Sequence, residues 1–248
     1  MDGVARRESS RSTTEPDIRR RARNLLVREG QEAVTLRAIA REMGITAPAL
    51  YRYYSSREEL LFRLSEDVCV DLSAELTASM RDGATQLDKV FAVCRGFRRW
   101  ALEHPREFAL VFATPTGAKA GEKTAPTERD APGRPERHDE LGRVFLRVAG
   151  PLMAEGVAES PPASLPDELR VGLADSQRDL AESFAAEGIE IPREALSAEA
   201  VYLLLRWWAR LYGQVALEVF GQFPFDVSEA GRLFESMLVE LATESGLR

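Results

Sequence analysis

Apolar residues recur at helical spacing along almost the whole chain, and this pattern constrains the fold more than any other feature of the sequence. Between Leu60 and Met80 an apolar residue stands at every fourth position, which places all of them on one face of a long helix. No run of β-branched residues alternates with polar residues as a half-buried strand would. The sequence therefore predicts an all-α protein of about nine to ten helices.

Length and composition narrow the classes to which the chain can belong. Its 248 residues suit one small module and one larger domain. No stretch reaches the roughly 18 apolar residues that a membrane helix needs, and the polar N-terminus lacks the apolar core of a secretory signal. Cys69 and Cys94 fall in apolar helical patterns and are predicted to be buried thiols. We expect a protein without a membrane partner that works in the cytoplasm.

Charge is divided unevenly along the chain. The formal net charge is −7, but residues 1–60 carry 12 basic and 9 acidic residues. The rest of the chain carries 21 basic and 31 acidic residues. A mildly basic end attached to an acidic domain is typical of a nucleic-acid-reading segment joined to a domain with another task.

Composition also suggests where the domains begin and end. Residues 1–14 are polar and rich in arginine, which predicts a disordered basic arm. Residues 15–62 hold three short helical patterns and form the predicted small module. Residues 63–248 form the predicted larger domain, in which the Pro- and Gly-rich residues 114–137 are expected to be a mobile loop.

Two short helical patterns separated by a glycine lie between Thr35 and Tyr54. Thr35 is a favourable N-cap, and the helix that follows it ends at Gly44. Thr46 is a second N-cap candidate, and the next helix is predicted over residues 47–54. This arrangement is typical of a helix-turn-helix, whose second helix lies in the major groove of DNA while the first crosses the backbone.

The flanks of this segment fit the same interpretation. No acidic residue occurs between Glu42 and Glu58, so the segment does not repel phosphate. Ser56 and Glu59 match a capping box that would open a long fourth helix.

Residues 34–61, VTLRAIAREMGITAPALYRYYSSREELL, resemble the DNA-binding segment of TetR-family (tetracycline-repressor-like) regulators. That family has a similar order of a hydrophobic-Thr pair, an Ile-Ala pair, a glycine turn and a Leu-Tyr-x-Tyr core. Arg57 stands where the family usually has lysine, and a phosphate contact tolerates either cation. The residues at matching places are Val34, Thr35, Ile39, Ala40, Gly44, Ile45, Leu50, Tyr51, Tyr53, Tyr54, Glu59 and Leu60.

The resemblance implies two sets of DNA contacts. Arg37 is the best candidate for a bidentate contact to guanine, and its alternative is a solvated residue that touches phosphate only. The residues implied to contact phosphate are Thr35, Thr46, Tyr51, Tyr53 and Arg57. The residues implied to face base edges are Arg37, Ala47, Pro48, Ala49 and Arg52.

The C-terminal part resembles one subgroup of the same family. Residues 208–213 read Trp-Ala-Arg-Leu-Tyr-Gly and are similar to the Trp-x-x-x-His-Gly motif of that subgroup, with Tyr212 in place of histidine. In the family the last two helices pair with their copies, which implies a homodimer that reads a palindrome. The alternative is that these helices form the core of their own domain. The interface candidates are Leu204, Trp208, Leu211, Val215, Val219, Phe234, Met237, Leu238 and Leu241.

The resemblance also implies a pocket for a small-molecule effector in the larger domain. The helices of this domain show no cluster of charges, which favours an apolar or aromatic ligand. Ordinary core packing is the alternative for each lining candidate. The candidates are Phe97, Trp100, Phe108, Phe112, Phe145, Met153, Phe184 and Trp207.

The predicted function is that of a nucleoid-associated homodimeric repressor, released from operator DNA by an effector that remains to be identified. An activator or a co-repressed regulator of the same fold is an alternative, and so is a module that has lost DNA recognition. An enzyme is the alternative from another class. With only His104 and His138, and no Gly-rich phosphate loop, serine elbow or zinc-type cysteine cluster, the sequence predicts no catalytic site, cofactor or metal.

Overall fold

Eleven α-helices and no strand make up the part of the chain that the computed structural model describes, residues 2–113, 139–154 and 165–247. The all-α prediction is confirmed. The count exceeds the predicted nine to ten, and two of the helices, Asp167–Gly172 and Ala174–Ala186, are separated only by Leu173. The helices are α1 (Asp2–Glu29), α2 (Leu36–Met43), α3 (Ala47–Leu50), α4 (Arg57–Ser79), α5 (Gln86–Glu103), α6 (Pro105–Phe108), α7 (Asp139–Ala154), α8 (Asp167–Gly172), α9 (Ala174–Ala186), α10 (Ala198–Val219) and α11 (Ala230–Glu244).

Short turns of other helical types connect some of these elements. A π-helical turn over Ala109–Ala113 continues α6 directly. The 3-10 turns are Gln31–Ala33, Met80–Asp82 and Arg193–Leu196. Among the described residues, no helix is long and apolar enough to cross a membrane.

The chain divides into two compact units, which we call the head and the body. Among the described residues, the head holds residues 2–71 and 104–113, and the body holds residues 72–103, 139–154 and 165–247. The sequence placed one boundary after residue 62 and did not anticipate that a later segment belongs to the head. The expected mobile loop, 114–137, lies outside the described residues.

Helix α1 begins earlier than the sequence suggested. It starts at Asp2 and passes through Pro16, whereas residues 1–14 were expected to be disordered. From Val4 to Glu15 the chain contains neither glycine nor proline, so nothing in its backbone chemistry ends the helix there. Pro16 removes one backbone donor and its ring crowds the carbonyl four residues earlier, so it is the least favourable position of this helix.

The head has its own hydrophobic core, built mainly from α1 to α4. Leu26, Ile39, Leu50 and Leu64 have no exposed surface. Leu110, from the π-helical turn, is buried in the same cluster although it lies far along the chain. The turn after α6 is therefore a structural part of the head.

Two glycines with positive φ shape the connections in the head. Gly30 has φ 94° and precedes the 3-10 turn that leads to α2. Gly44 has φ 68° and ends α2 as predicted, with the Ile45 amide donating to the Ala40 carbonyl at 3.0 Å. Residues with a Cβ rarely adopt such backbone angles, so glycine is required at both turns.

The body is held together by apolar packing and by arginines of α5. Arg95 makes a two-pronged ion pair with Glu235 on α11, and Arg98 makes another with Glu218 on α10. Cys94 on the same helix is buried, and so is Cys69 in the head, which confirms the prediction for both thiols. Burial raises the pKa of Cys94 to about 12.

Candidate functional site

The first helix of the predicted DNA-reading segment is capped as the sequence predicted. The Thr35 hydroxyl accepts a hydrogen bond from the Ala38 amide at 3.1 Å. Leu36, Ile39 and Ala40 face the core, whereas Arg37 is exposed in the first turn. Arg37 is therefore free of the core and held on a fixed helical turn, which suits a side chain that reaches for a base edge.

The second helix of the segment is shorter than predicted. It covers Ala47–Leu50 and then continues as a hydrogen-bonded turn, in which the Tyr53 amide donates to the Leu50 carbonyl at 2.9 Å. The expected helix over residues 47–54 ends early because the chain turns inward, where Leu50 and Tyr54 are buried as anchors.

The exposed surface of this short helix carries part of the predicted contact set. Thr46 occupies the N-cap position, but its hydroxyl makes no capping hydrogen bond. Pro48 and Arg52 are exposed, and Tyr51 is 54% exposed. These four side chains lie where partners from solution can reach them.

Three other predicted contact residues are less available than the sequence suggested. Ala47, Ala49 and Tyr53 are half-buried. Ala47 and Tyr53 pack against the head core, so part of each side chain supports the helix from below. Only the remaining part of each could contact DNA.

Arg57 faces the protein in a way that the sequence did not suggest. Its Nε donates to the Val34 carbonyl and its Nη2 donates to the Gln31 carbonyl, both at 2.7 Å. The side chain is 28% exposed. The sequence predicted a phosphate ligand at this position. It could not predict these two hydrogen bonds, because their acceptors lie 23 and 26 residues away in the chain.

The start of α4 is fixed by a capping box close to the predicted one. Ser56 Oγ accepts from the Glu59 amide at 3.0 Å, as expected. The Glu59 carboxylate accepts from the amide and hydroxyl of Ser55, rather than from Ser56. These hydrogen bonds hold the pKa of Glu59 below its usual range, because they stabilise the ionised carboxylate.

Two arginines of α1, Arg19 and Arg23, bind carboxylates of the head itself. Arg19 pairs with Asp67 at 2.6 Å and donates to the Tyr54 hydroxyl at 3.3 Å. Burial raises the pKa of Tyr54, so this hydroxyl stays protonated. Among the described residues of α1, Arg20, Arg21 and Arg28 are exposed, and Arg20 pairs with Asp17 and Arg28 with Glu42.

In the body, four aromatic side chains form a contiguous cluster. The ring centroid of Trp208 lies 5.9 Å from Phe97, 5.2 Å from Phe145 and 6.0 Å from Tyr212. Phe97 and Phe145 were predicted to line an effector pocket, and the structure brings them together. Trp208 was predicted at the dimer interface; its ring packs against the other three aromatic side chains but is only half-buried in one chain, and the interface role stays a prediction.

The remaining pocket candidates are scattered. Phe108 and Phe112 contact each other with tilted rings whose centroids lie 4.7 Å apart, but they belong to the head. Phe184 packs in a separate cluster of the body. Trp207 donates from Nε1 to the Ser245 hydroxyl at 2.9 Å, so it points towards the end of α11.

Two further candidates add little to a pocket. Trp100 is 2% exposed in the core. The side chain of Met153 lies outside the described residues. Helical spacing alone could not sort these residues, because every apolar stripe of a helix looks alike in one dimension.

Most of the predicted interface residues are also part of the core. Leu204 packs against the Phe184 cluster, and Val219 is half-buried. Six of the predicted interface residues are at most 5% exposed in a single chain, so they support the helices from within the core, and an interface role for them stays a prediction. These are Leu211, Val215, Phe234, Met237, Leu238 and Leu241.

A second set of apolar residues on α10 and α11 remains exposed. On each helix these residues lie within about 140° of one another around the helix axis, so they share one side of the helix. The two helices are joined along this side by Arg206–Glu244 at 2.6 Å and Arg210–Glu240 at 2.7 Å. We call this surface the paired-helix face, and its apolar members are Leu205 (49% exposed), Leu217 (37%), Leu233 (44%) and Val239 (57%). Sequence reasoning missed them because they flank a more strongly apolar stripe.

Comparison with protein families matches both parts of the chain. Residues 18–64 match the family described as "Bacterial regulatory proteins, tetR family". Residues 90–241 match the family described as "Tetracyclin repressor-like, C-terminal domain". The two matches together span most of the chain.

Individual proteins are similar to this chain over nearly their whole length. The HTH-type transcriptional regulator Rv1816 of Mycobacterium tuberculosis is 28% identical over 94% of this chain and 92% of its own length. The crystal structure of the candidate regulatory protein SCO4313 is 27% identical, with a TM-score of 0.59, over 95% of this chain and 98% of that one. A protein of unknown function from Rhodococcus sp. RHA1 shares the fold at 17% identity, with a TM-score of 0.57, over 94% of both chains.

Proposed function

The chain belongs to the TetR family of helix-turn-helix transcriptional regulators, and we propose that it acts as a homodimeric repressor that a small apolar or aromatic effector releases from a palindromic operator. The observation that carries this proposal is the head, where a capped α2 and a short α3 present Arg37, Tyr51 and Arg52 to solution above buried anchors. Exposed cations and hydroxyls on a rigid support are what base and phosphate recognition requires.

Dimerisation is supported by the paired-helix face. Leu205, Leu217, Leu233 and Val239 are large apolar side chains that a single chain leaves exposed on two adjacent helices. Burying such a stripe against its own copy is favourable, and a two-fold axis generates the same contact twice. A dimer also places two short reading helices on two half-sites, which one α3 of four residues cannot cover.

The effector site is proposed at the aromatic cluster of Phe97, Phe145, Trp208 and Tyr212. Trp208 and Tyr212 supply the aromatic positions of the Trp-x-x-x-His/Tyr-Gly motif, and their rings are stacked with an interplanar angle of 17°. We therefore assign the chain to the subgroup that carries this motif. A surface of aromatic rings favours a flat, apolar or aromatic ligand.

The protein is proposed to have no catalytic activity and to work in the cytoplasm, at the nucleoid. In the described part of the chain, no group of three His, Cys, Asp or Glu side chains could hold a metal ion. An effector acts by binding more tightly to the conformation that does not fit the operator, so no chemistry is needed for release.

The test is operator binding measured by fluorescence anisotropy at fixed salt. We expect a duplex from the region flanking the protein's own gene to bind at least about a thousandfold more tightly than a scrambled duplex. A library of apolar and aromatic compounds is then screened by thermal shift, and the hits should weaken operator binding and quench Trp208. A hit that tightens binding would identify a co-repressed regulator, and equal affinity for both duplexes would contradict the proposal.

A further inference from the structure

We propose that Arg57 is a positioning residue for DNA recognition, which holds the first turn of α2 against the start of α4 and acts on DNA through Thr35 and Arg37. The inference rests on the proposed operator binding. It concerns a different role from the phosphate contact that the resemblance implied for this residue.

The hydrogen bonds of Arg57 define the geometry of this contact. Nε and Nη2 donate, each at 2.7 Å, to the carbonyls of Val34 and Gln31, which lie three residues apart in the chain. The Gln31 carbonyl also accepts from the Val34 amide at 3.1 Å, so the two acceptors belong to one closed turn. A planar guanidinium donates from different nitrogens in a fixed plane, whereas a lysine ammonium donates from one nitrogen at the end of a flexible chain.

The other end of the contact is rigid. Arg57 is the first residue of α4, directly after the Ser56 cap. Glu59 holds Ser55 through two hydrogen bonds, and Leu60 is fully buried. The guanidinium therefore extends from a backbone that the capping box and the core both fix.

The turn that Arg57 holds is the support of the reading surface. Val34 has no exposed surface and directly precedes Thr35, whose hydroxyl caps α2. Arg37 lies two residues further on, in the first turn of α2. Recognition contacts depend on supports that are held to about 0.5 Å, so loosening this turn weakens the contacts that Arg37 makes.

The surroundings of Arg57 do not favour a phosphate ligand. Both hydrogen-bonded arms point at the protein's own carbonyls, and the Glu32 carboxylate lies 3.8 Å from Nη2. The negative charge of Glu32 repels a phosphate placed next to the Arg57 guanidinium, so a phosphate contact there is less favourable.

The experiment compares Arg57→Lys, Arg57→Gln and the control Arg63→Lys on operator and scrambled duplexes between about 50 and 200 mM salt. Arg63 lies on the same helix and pairs with Glu66. Lysine keeps the charge but loses the fixed two-nitrogen geometry with which Arg57 bonds to both carbonyls. We expect Arg57→Lys to lose about three- to tenfold in operator affinity, with scrambled-duplex affinity and salt slope unchanged. The control should behave as the wild type.

Two outcomes would overturn the proposal. If Arg57→Lys binds both duplexes like the wild type and Arg57→Gln reduces the salt slope by about one, Arg57 is a phosphate ligand. If Arg57→Lys lowers the affinity for both duplexes by the same factor, and the melting temperature of the protein falls as well, Arg57 only stabilises the fold.

A second measurement separates this inference from the proposed function. Amide hydrogen exchange of Ala38, the donor to the Thr35 cap, reports on the turn without DNA. We expect exchange to accelerate in Arg57→Lys and not in Arg63→Lys, even if the wild type proves to bind no operator. Unchanged exchange at Ala38 in Arg57→Lys would exclude the positioning role.

Discussion

The guanidinium of Arg23 on α1 donates to the carboxylate of Glu107 on α6 at 2.5 Å, across 84 residues of chain. Glu107 is only 3% exposed, and Arg23 also pairs with Asp71 on α4. One side chain thus joins three helices of the head. The nearby Arg106 adds a bond to the Val27 carbonyl at 2.7 Å, so α6 is attached to α1 at two points.

Replacing Glu107 with alanine should destabilise the head. Arg23 would keep Asp71 but lose its buried partner, and we expect a loss of about 1–3 kcal/mol in the free energy of unfolding. Urea denaturation followed by circular dichroism measures the change. Glu103→Ala removes an exposed carboxylate from the end of α5 and should stay within about 0.5 kcal/mol of the wild type. Equal effects of the two substitutions would contradict the importance of the Arg23–Glu107 pair.

Two Gly→Ala substitutions should change stability in opposite directions. Gly44 has φ 68°, so Gly44→Ala should cost about 1 kcal/mol and weaken operator binding. Gly142 lies inside α7 with no atom within 4 Å of an added Cβ, so Gly142→Ala should stabilise by about 0.5–1 kcal/mol. The melting temperature should fall in Gly44→Ala and rise in Gly142→Ala. An unchanged melting temperature in Gly44→Ala would show that α2 can end without a left-handed residue.

Arg37→Ala should relax sequence preference. If Arg37 reads a guanine, its removal should cost about 1–3 kcal/mol on the operator and much less on a duplex changed at that base pair. Anisotropy titrations on the two duplexes give the difference. Arg178→Ala removes an exposed positive charge from the body and serves as the control. A uniform loss on all duplexes would leave Arg37 as a phosphate contact only.

Val239→Glu should convert a dimer into monomers. Val239 is 57% exposed on the paired-helix face, and a two-fold axis would bury two carboxylates at once. We expect the dimer dissociation constant to rise about a hundredfold, since each unpaired carboxylate costs at least about 1.4 kcal/mol. Sedimentation velocity measures the shift. Val171→Glu on α8, where the valine is 78% exposed, should leave the dimer intact. A Val239→Glu dimer of unchanged affinity would place the interface elsewhere.

Stability should fall at alkaline pH in part because of Cys94. Its pKa is raised to about 12 from 9.0 by burial, so above pH 9 the unfolded state loses a proton that the folded state retains. This stabilises the unfolded state, by about 1.4 kcal/mol at pH 10. Urea denaturation at pH 8 and pH 10 should show a smaller pH dependence in Cys94→Ala than in the wild type. Parallel losses in both proteins would contradict the shift.

The sequence predicted the local features of the head correctly because their physical causes are local. The Thr35 cap, the end of α2 at Gly44 and the cap of α4 at Ser56 each depend on residues within four positions of one another. Backbone geometry and short-range hydrogen bonds decide such features, so a pattern of residue types is enough to find them. The all-α fold follows in the same way from helical spacing.

The tertiary structure alone decided which stripe of each helix is covered and which partner each charged group finds. Trp207 and Trp208 are neighbours in the chain, yet one bonds to Ser245 and the other packs with Phe97. Periodicity reports that a helix is apolar on one side, but not what that side packs against. Arg57 was predicted from its charge, while its orientation depends on carbonyls 23 and 26 residues away. Such contacts arise only when packing brings distant segments together, and no local pattern encodes them.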